Sequence, residues 1–282
     1  MQQTKRKGAL CLVGASVFWS LGGVLIKSLP WSAMSIISIR AILAALVFGI
    51  FRKSAKIKIT PGNCLAALCL SGTTILYVFA NQLTTAAAAI LLQFTAPVFV
   101  LLMQFMLDRR KPRMVEILAV SSTLVGMLLF FGDDLGEGQL LGNLLAIGSG
   151  VSFAGVFVFN RRPDTDPKQS IMLGFYANAI IWLPFVFFDR GVSADPFHWG
   201  LVLAMGVVQV GLAYVFFSVG IKTTPALLAC LITALEPVLN PLWVAIATPE
   251  RPGRFAFAGG AVIVATIVLY NIWEERRSVS IE

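Results

Sequence analysis

Apolar runs long enough to cross a bilayer recur ten times along the chain, at about 9–27, 33–51, 63–81, 86–107, 114–132, 140–159, 170–188, 199–220, 225–247 and 255–273. A helix needs about 20 mostly apolar residues to span the hydrocarbon core. Of the 282 residues 57% are hydrophobic and only 13% charged, a balance far more apolar than that of a soluble domain. The expected fold is an all-α polytopic membrane protein of ten transmembrane helices. The basic N-terminus is followed by a long apolar stretch without a clear small-x-small cleavage site, so it reads as a retained first span rather than a signal peptide.

The 22 Lys and Arg outnumber the 14 Asp and Glu. In a soluble protein that excess would suggest nucleic acid, but here the positions of the charges account for it and no nucleic-acid partner is expected. Basic residues favour the cytoplasmic side of short loops. With the N-terminus inside, the inner segments collect seventeen of them, in clusters such as Arg52 to Lys58 and Arg109 to Arg113, against four outside: Lys27, Arg190, Arg251 and Arg254. The asymmetry puts both termini in the cytoplasm, and an odd number of spans would break the alternation.

Two halves of the chain resemble each other at a spacing near 139 to 140 residues. "LTTAAAAILLQFTAPVFVLL" around Pro97 answers "KTTPALLACLITALEPVLNPLW" around Pro237, each opened by a Thr-Thr pair and interrupted by a proline. This divides the chain into residues 1–135 and 136–282, five helices each. Five is odd, so the second half enters the membrane inverted. Inverted repeats with broken helices at matching positions are how many transporters place a site at the membrane midplane.

These segments, with a first helix reading "SVFWSLGGVLIK" and a second containing "IRAILAALV", resemble the EamA-type branch of the drug/metabolite transporter superfamily over nearly the whole chain. The resemblance implies export or exchange of small metabolites across the cytoplasmic membrane, with amino acids frequent among the substrates. It also implies an arginine in the second helix, matched by Arg40, and a glutamate ending the fourth and ninth. Glu250 fits the latter place, while the first half offers only Asp108.

Glu236 is the sharpest candidate for the chemistry. An ionised carboxylate at bilayer depth costs about 2.5–3.5 kcal/mol, so it must pair, protonate or face water. Pro237 frees the carbonyl of Thr233, and Pro241 that of Pro237. Thr233, Glu236, Asn240 and Trp243 fall on one face of a continuous helix, a polar stripe that either lines a solute cavity or holds a kinked helix to its neighbours. The matching face of the fourth span is neutral, with Gln93, Pro97 and Gln104, and Ala96 where the glutamate would stand. A site charged on one side only suits a cationic or zwitterionic solute. Arg40, about 10 Å deep at the helical rise, either snorkels outward or pairs with Glu236 or a solute carboxylate. Trp19, Tyr77, Phe94, Phe153 and Tyr214 are placed to wall a cavity, and as a set they favour an amphipathic or aromatic ligand.

No Walker A, HExxH or GxSxG sequence is present, so neither ATP hydrolysis nor enzyme chemistry is expected. Four cysteines and the single His198 show no metal-ligand spacing, so no metal or cofactor is expected either. The expected partners are a small-molecule solute and the lipid bilayer, and the expected mechanism is secondary transport by alternating access, with proton coupling through Glu236 or simple exchange. A nucleotide-sugar or phosphorylated-metabolite exchanger would need more basic groups in the cavity than Arg40. A non-transporting membrane scaffold is the alternative outside transport.

Overall fold

Short polar side chains mark where several of the helices start. The computed structural model describes residues 2–53, 57–130, 140–192, 194–239 and 254–279, and every regular element among them is helical. After α1 (Gln2–Trp19) and α2 (Gly22–Lys27), Ser32 caps α3 (Ala33–Arg52), Thr60 caps α4 (Pro61–Leu83) and Thr85 caps α5 (Ala86–Gln93). Each hydroxyl accepts from the backbone N–H three residues on, worth about 1 kcal/mol. Next come α6 (Ala96–Asp108), α7 (Met114–Phe130), α8 (Leu140–Phe159) and α9 (Pro167–Val186), the last capped by Asp166. The rest are α10 (Pro196–Leu203), a π-helical stretch (Ala204–Leu212), α11 (Ala213–Thr223), α12 (Ala226–Thr233), α13 (described over 235–239) and α14 (Arg254–Val279).

Seven of these helical stretches are long and apolar enough to cross a membrane, and Met114–Phe130 and Ala226–Leu239 are shorter apolar helices. Leu46, Ile50, Leu118, Leu128, Leu144 and Leu269 stay exposed on them, a surface suited to lipid chains rather than water.

Four of the apolar runs are not single α-helices. The first is interrupted at Ser20 and Leu21, and the eighth changes to π-helix between α10 and α11. The fourth breaks at Phe94 and Thr95, the ninth at Ala234. Pro97 and Pro237 sit in the first turn of the segment after each break, where a missing N–H costs nothing. A straight helix would need those N–H groups for the carbonyls of Gln93 and Thr233, so each proline sets the break a few residues before itself. Pro241 lies outside the described residues.

The long helices pack in pairs that join the early and late parts of the chain: α4 with α8, α1 with α11, α3 with α9, and α7 with α14. Both ends of the bundle are tied. At one, Arg52 Nη2 donates to Gln169 Oε1 (2.9 Å), the Gly62 N–H to Asp164 Oδ2 (2.9 Å), and Lys222 pairs with Asp166 (3.2 Å). At the other, the Ser32 N–H and hydroxyl both donate to Asp189 Oδ2, at 2.8 and 2.7 Å.

Candidate functional site

Each interrupted helix delivers a side chain to one central cavity at or beside its interruption. Trp19 is the last residue of α1, Gln93 the last of α5, Glu236 the second of α13, and Gln209 lies within the π stretch; all four line the same space. Irregular backbone at membrane depth is tolerated only where it is buried in protein or lines a wet cavity, and its freed polar groups then become a site. The continuous helices supply the remaining wall, with Arg40 from α3, Tyr77 from α4, Phe153 from α8, Asn178 from α9 and Tyr214 from α11. The space measures about 70 Å³, enough for a few waters at roughly 10–15 Å³ each.

Two opposite charges face this cavity. Arg40 is only 6% exposed and so reaches no outer surface; the outward snorkel is not what the fold adopts. Glu236 keeps part of its surface open. Among the described residues no ion pair joins the two. Unpaired opposite charges in one small space are an unusual arrangement, because a charge taken from water, as Arg40 is, retains its desolvation cost without a partner.

Much of the neutral donor capacity around them is spent within the protein. Gln93 Nε2 donates to Ser149 Oγ (2.8 Å), which donates in turn to the Thr73 carbonyl (3.0 Å). Gln209 Nε2 points at the Trp19 carbonyl, left at the break of the first run, at a long 3.5 Å. Three buried oxygens, Tyr77 Oη, Asn178 Oδ1 and Gln209 Oε1, have no hydrogen-bond partner among the described residues.

One wall is aromatic. The Trp19 ring meets Tyr214 at 5.1 Å, Phe217 at 5.4 Å and Phe153 at 6.1 Å between centroids, and Phe153 meets Phe157 at 4.7 Å. Three of these contacts are edge-to-face and the Trp19–Phe217 pair is tilted, geometries that aromatic pairs favour by about 0.5–1.5 kcal/mol each.

Of the residues read from the sequence, the fold brings Trp19, Arg40, Tyr77, Gln93, Phe153, Tyr214 and Glu236 together at the cavity. Phe94 and Thr233 are not on its wall. Phe94 is fully buried against the edge of Phe153 (6.1 Å), and Thr233 is fully buried with its hydroxyl donating to the Cys230 carbonyl (2.7 Å). The break at Ala234 separates Thr233 from Glu236, so the single helical face expected for the pair is not formed. Asn240 and Trp243 lie outside the described residues. The fold adds Thr73, Thr74, Phe175, Asn178 and Gln209 to the wall. A lone Asn or Gln inside an apolar run is the signal that could have found Asn178 and Gln209.

A helical membrane protein whose broken helices meet at a central cavity lined by both charged and aromatic side chains has the form of a solute transporter. The chain matches the EamA-like transporter family over residues 6–132 and again over 140–272. It belongs to that family, within the drug/metabolite transporters. Among its relatives are the threonine/homoserine exporter RhtA of Salmonella typhimurium, 26% identical over 73% of this chain and 71% of that one, and the pseudopaline exporter CntI of Pseudomonas aeruginosa, 25% identical over 93% and 95%. An uncharacterized transporter of Archaeoglobus fulgidus is 28% identical over 71% of each. A solved crystal structure at 20% identity superposes with a TM-score of 0.80 over 95% of this chain and 98% of its own.

Proposed function

We propose that the protein is a secondary transporter that exports or exchanges small zwitterionic metabolites, amino acids foremost, by alternating access. The observation that carries this reading is the presence of Arg40 and Glu236 in one cavity without a bond between them. A solute with a carboxylate and an ammonium supplies both missing partners and removes the cost of leaving two charges unpaired. The small space suits a compact solute, and the aromatic wall an apolar side chain. Two relatives named as exporters, one of threonine and homoserine, support the class of solute.

The same reading holds that residues 1–135 and 136–282 are two inverted five-helix repeats, ten spans in all, with both termini in the cytoplasm and the protein in the cytoplasmic membrane. The double family match supports the division. So does the packing. A two-fold relation between the halves exchanges the first span with the sixth and the third with the eighth. It therefore maps the α4–α8 contact onto α11–α1, and turns α3–α9 and α7–α14 into themselves, which is the pairing observed.

Glu236 is neutralised by a solute ammonium or by a proton, but not by both at once. A proton taken up from one side thus releases the amine on the other, which is the logic of proton–solute exchange. The test is counterflow in proteoliposomes loaded with single amino acids. Wild type should trade at least one amino acid at a pH-dependent rate, and Glu236→Gln should lose most of that transport, by roughly tenfold or more for one charged partner. Full, pH-dependent transport by Glu236→Gln would end the proposal.

A further inference from the structure

We propose that the cavity selects primary amines by their N–H groups, with Asn178 and Gln209 as specificity-determining acceptors beside Glu236. The inference rests on the solute-carrier reading and sharpens it from a charge to a hydrogen-bonding pattern.

The argument is an inventory of donors and acceptors. Asn178 is 1% exposed and Gln209 7%, yet the side-chain oxygen of each is unpartnered among the described residues, and both side chains line the cavity. The Gln209 amide has its orientation set: Nε2 is directed to the Trp19 carbonyl, which leaves Oε1 as the free atom. Its backbone is π-helical, a geometry that occurs mostly as short insertions within α-helices and is frequent at functional sites. Across from it stands Gly22, where a Cβ would lie 2.7 Å from Gln209 Nε2, so the absence of a side chain there gives the amide its room. Gln93 Nε2 and Ser149 Oγ are used within the protein, and the other neutral donors on the wall include the Tyr77 and Tyr214 hydroxyls. Arg40 supplies donors suited to a carboxylate. Among the described residues no donor reaches the two buried amide oxygens, and no cation pairs with the Glu236 carboxylate.

A protonated primary amine has three N–H groups, one for each of these acceptors. A trimethylated ammonium has the same charge and none. It can satisfy Glu236 electrostatically, but it would seal Asn178 Oδ1 and Gln209 Oε1 away from water without a partner, and buried polar groups left bare are what sites use to reject an analogue. Charge alone therefore does not qualify a solute.

The experiment extends the counterflow assay to matched pairs: glycine with glycine betaine, L-alanine with N,N,N-trimethyl-L-alanine, and L-threonine with its trimethyl derivative, alongside the intermediate N-methyl forms. The expected result is trade of at least one primary amine, falling stepwise with methylation to roughly a tenth or less for the trimethyl form. In Gln209→Leu and Asn178→Leu the ratio of trimethyl to primary amine should rise toward one. In Gly22→Ala, which displaces the Gln209 amide, the ratio should move the same way. Because the readout is a ratio within one variant, a loss of folded protein cancels. A trimethyl form carried as well as its primary amine by wild type overturns the proposal while leaving the solute-carrier reading intact, as does a ratio unmoved in all three variants. Trade of no solute in either series overturns both.

Discussion

At Gly150 in the middle of α8, a Cβ would fall 2.7 Å from the Gln93 carbonyl oxygen and 3.2 Å from Thr95 Oγ1. That carbonyl is the one Pro97 leaves without its helical partner, so α8 approaches the broken backbone at a position where a side chain would meet backbone atoms that cannot rotate away. In the other half Ser16 of α1 comes up to the corresponding break, its hydroxyl 3.4 Å from the Ile232 carbonyl. The small residues of the first and sixth helices, legible in the sequence only as a packing pattern, thus seat the backbone around the cavity. Gly150→Ala should destabilise the protein by about 1–3 kcal/mol, the usual range for overpacking against atoms that cannot rotate away. A fall in the detergent-solubilised melting temperature would register it. An unchanged melting temperature with normal transport would mean that α8 can retreat from Gln93.

At the scale of elements, the Ser32–Asp189 contact ties the start of α3 to the turn after α9. Burial pushes the Asp189 carboxyl up, but hydrogen bonds from Ser35, from the Ser32 hydroxyl and N–H and from the Gly191 N–H more than offset it and hold the group below its ordinary value. A carboxyl depressed in the folded state contributes stability above its unfolded pKa, about 3.9, and loses it as pH falls through the lowered folded value. Asp189→Asn should therefore melt below wild type at pH 7, and the gap should start to close below about pH 4. A gap as wide at pH 3 as at pH 7 would show that the contact acts through shape rather than charge.

Elements also show what a sequence can and cannot disclose. The expected spans 33–51, 86–107 and 140–159 meet observed helical stretches at 33–52, 86–108 and 140–159 almost residue for residue, because apolar length is written directly in composition. The breaks near Pro97 and Pro237 are marked by the ring that causes them. The interruption at Ser20 and Leu21 has no proline, and the π stretch is as apolar as the α-helix on either side, so neither leaves a trace in hydropathy. Those two unmarked features place Trp19 and Gln209. Half of the cavity lining was readable as charges and aromatics inside apolar runs; Thr73, Thr74, Phe175 and Asn178 stand on regular α-helices whose inward face is set by tertiary packing, and only Gln209 depends on π-helical backbone that hydropathy does not mark.

For the whole molecule, the proposed orientation makes a claim that one native thiol can test. Cys64, near the start of α4, is exposed and free, whereas Cys230 is buried and Cys11 and Cys69 are partly so. It lies at the end of the bundle that carries Arg52, Gln169, Asp164 and Lys222, the end that the distribution of basic residues assigns to the cytoplasm. Asp189 and Arg190 belong to the opposite end. A membrane-impermeant maleimide added to intact cells should leave Cys64 unmodified and should label it in inside-out vesicles, as read by mass spectrometry of the purified chain. The variant Arg190→Cys, at an exposed position, should give the reverse at its new thiol and so guards against a reagent that fails to reach the protein. Labelling of Cys64 from outside would invert the protein in the membrane and, with it, the direction from which a proton reaching Glu236 drives the solute out.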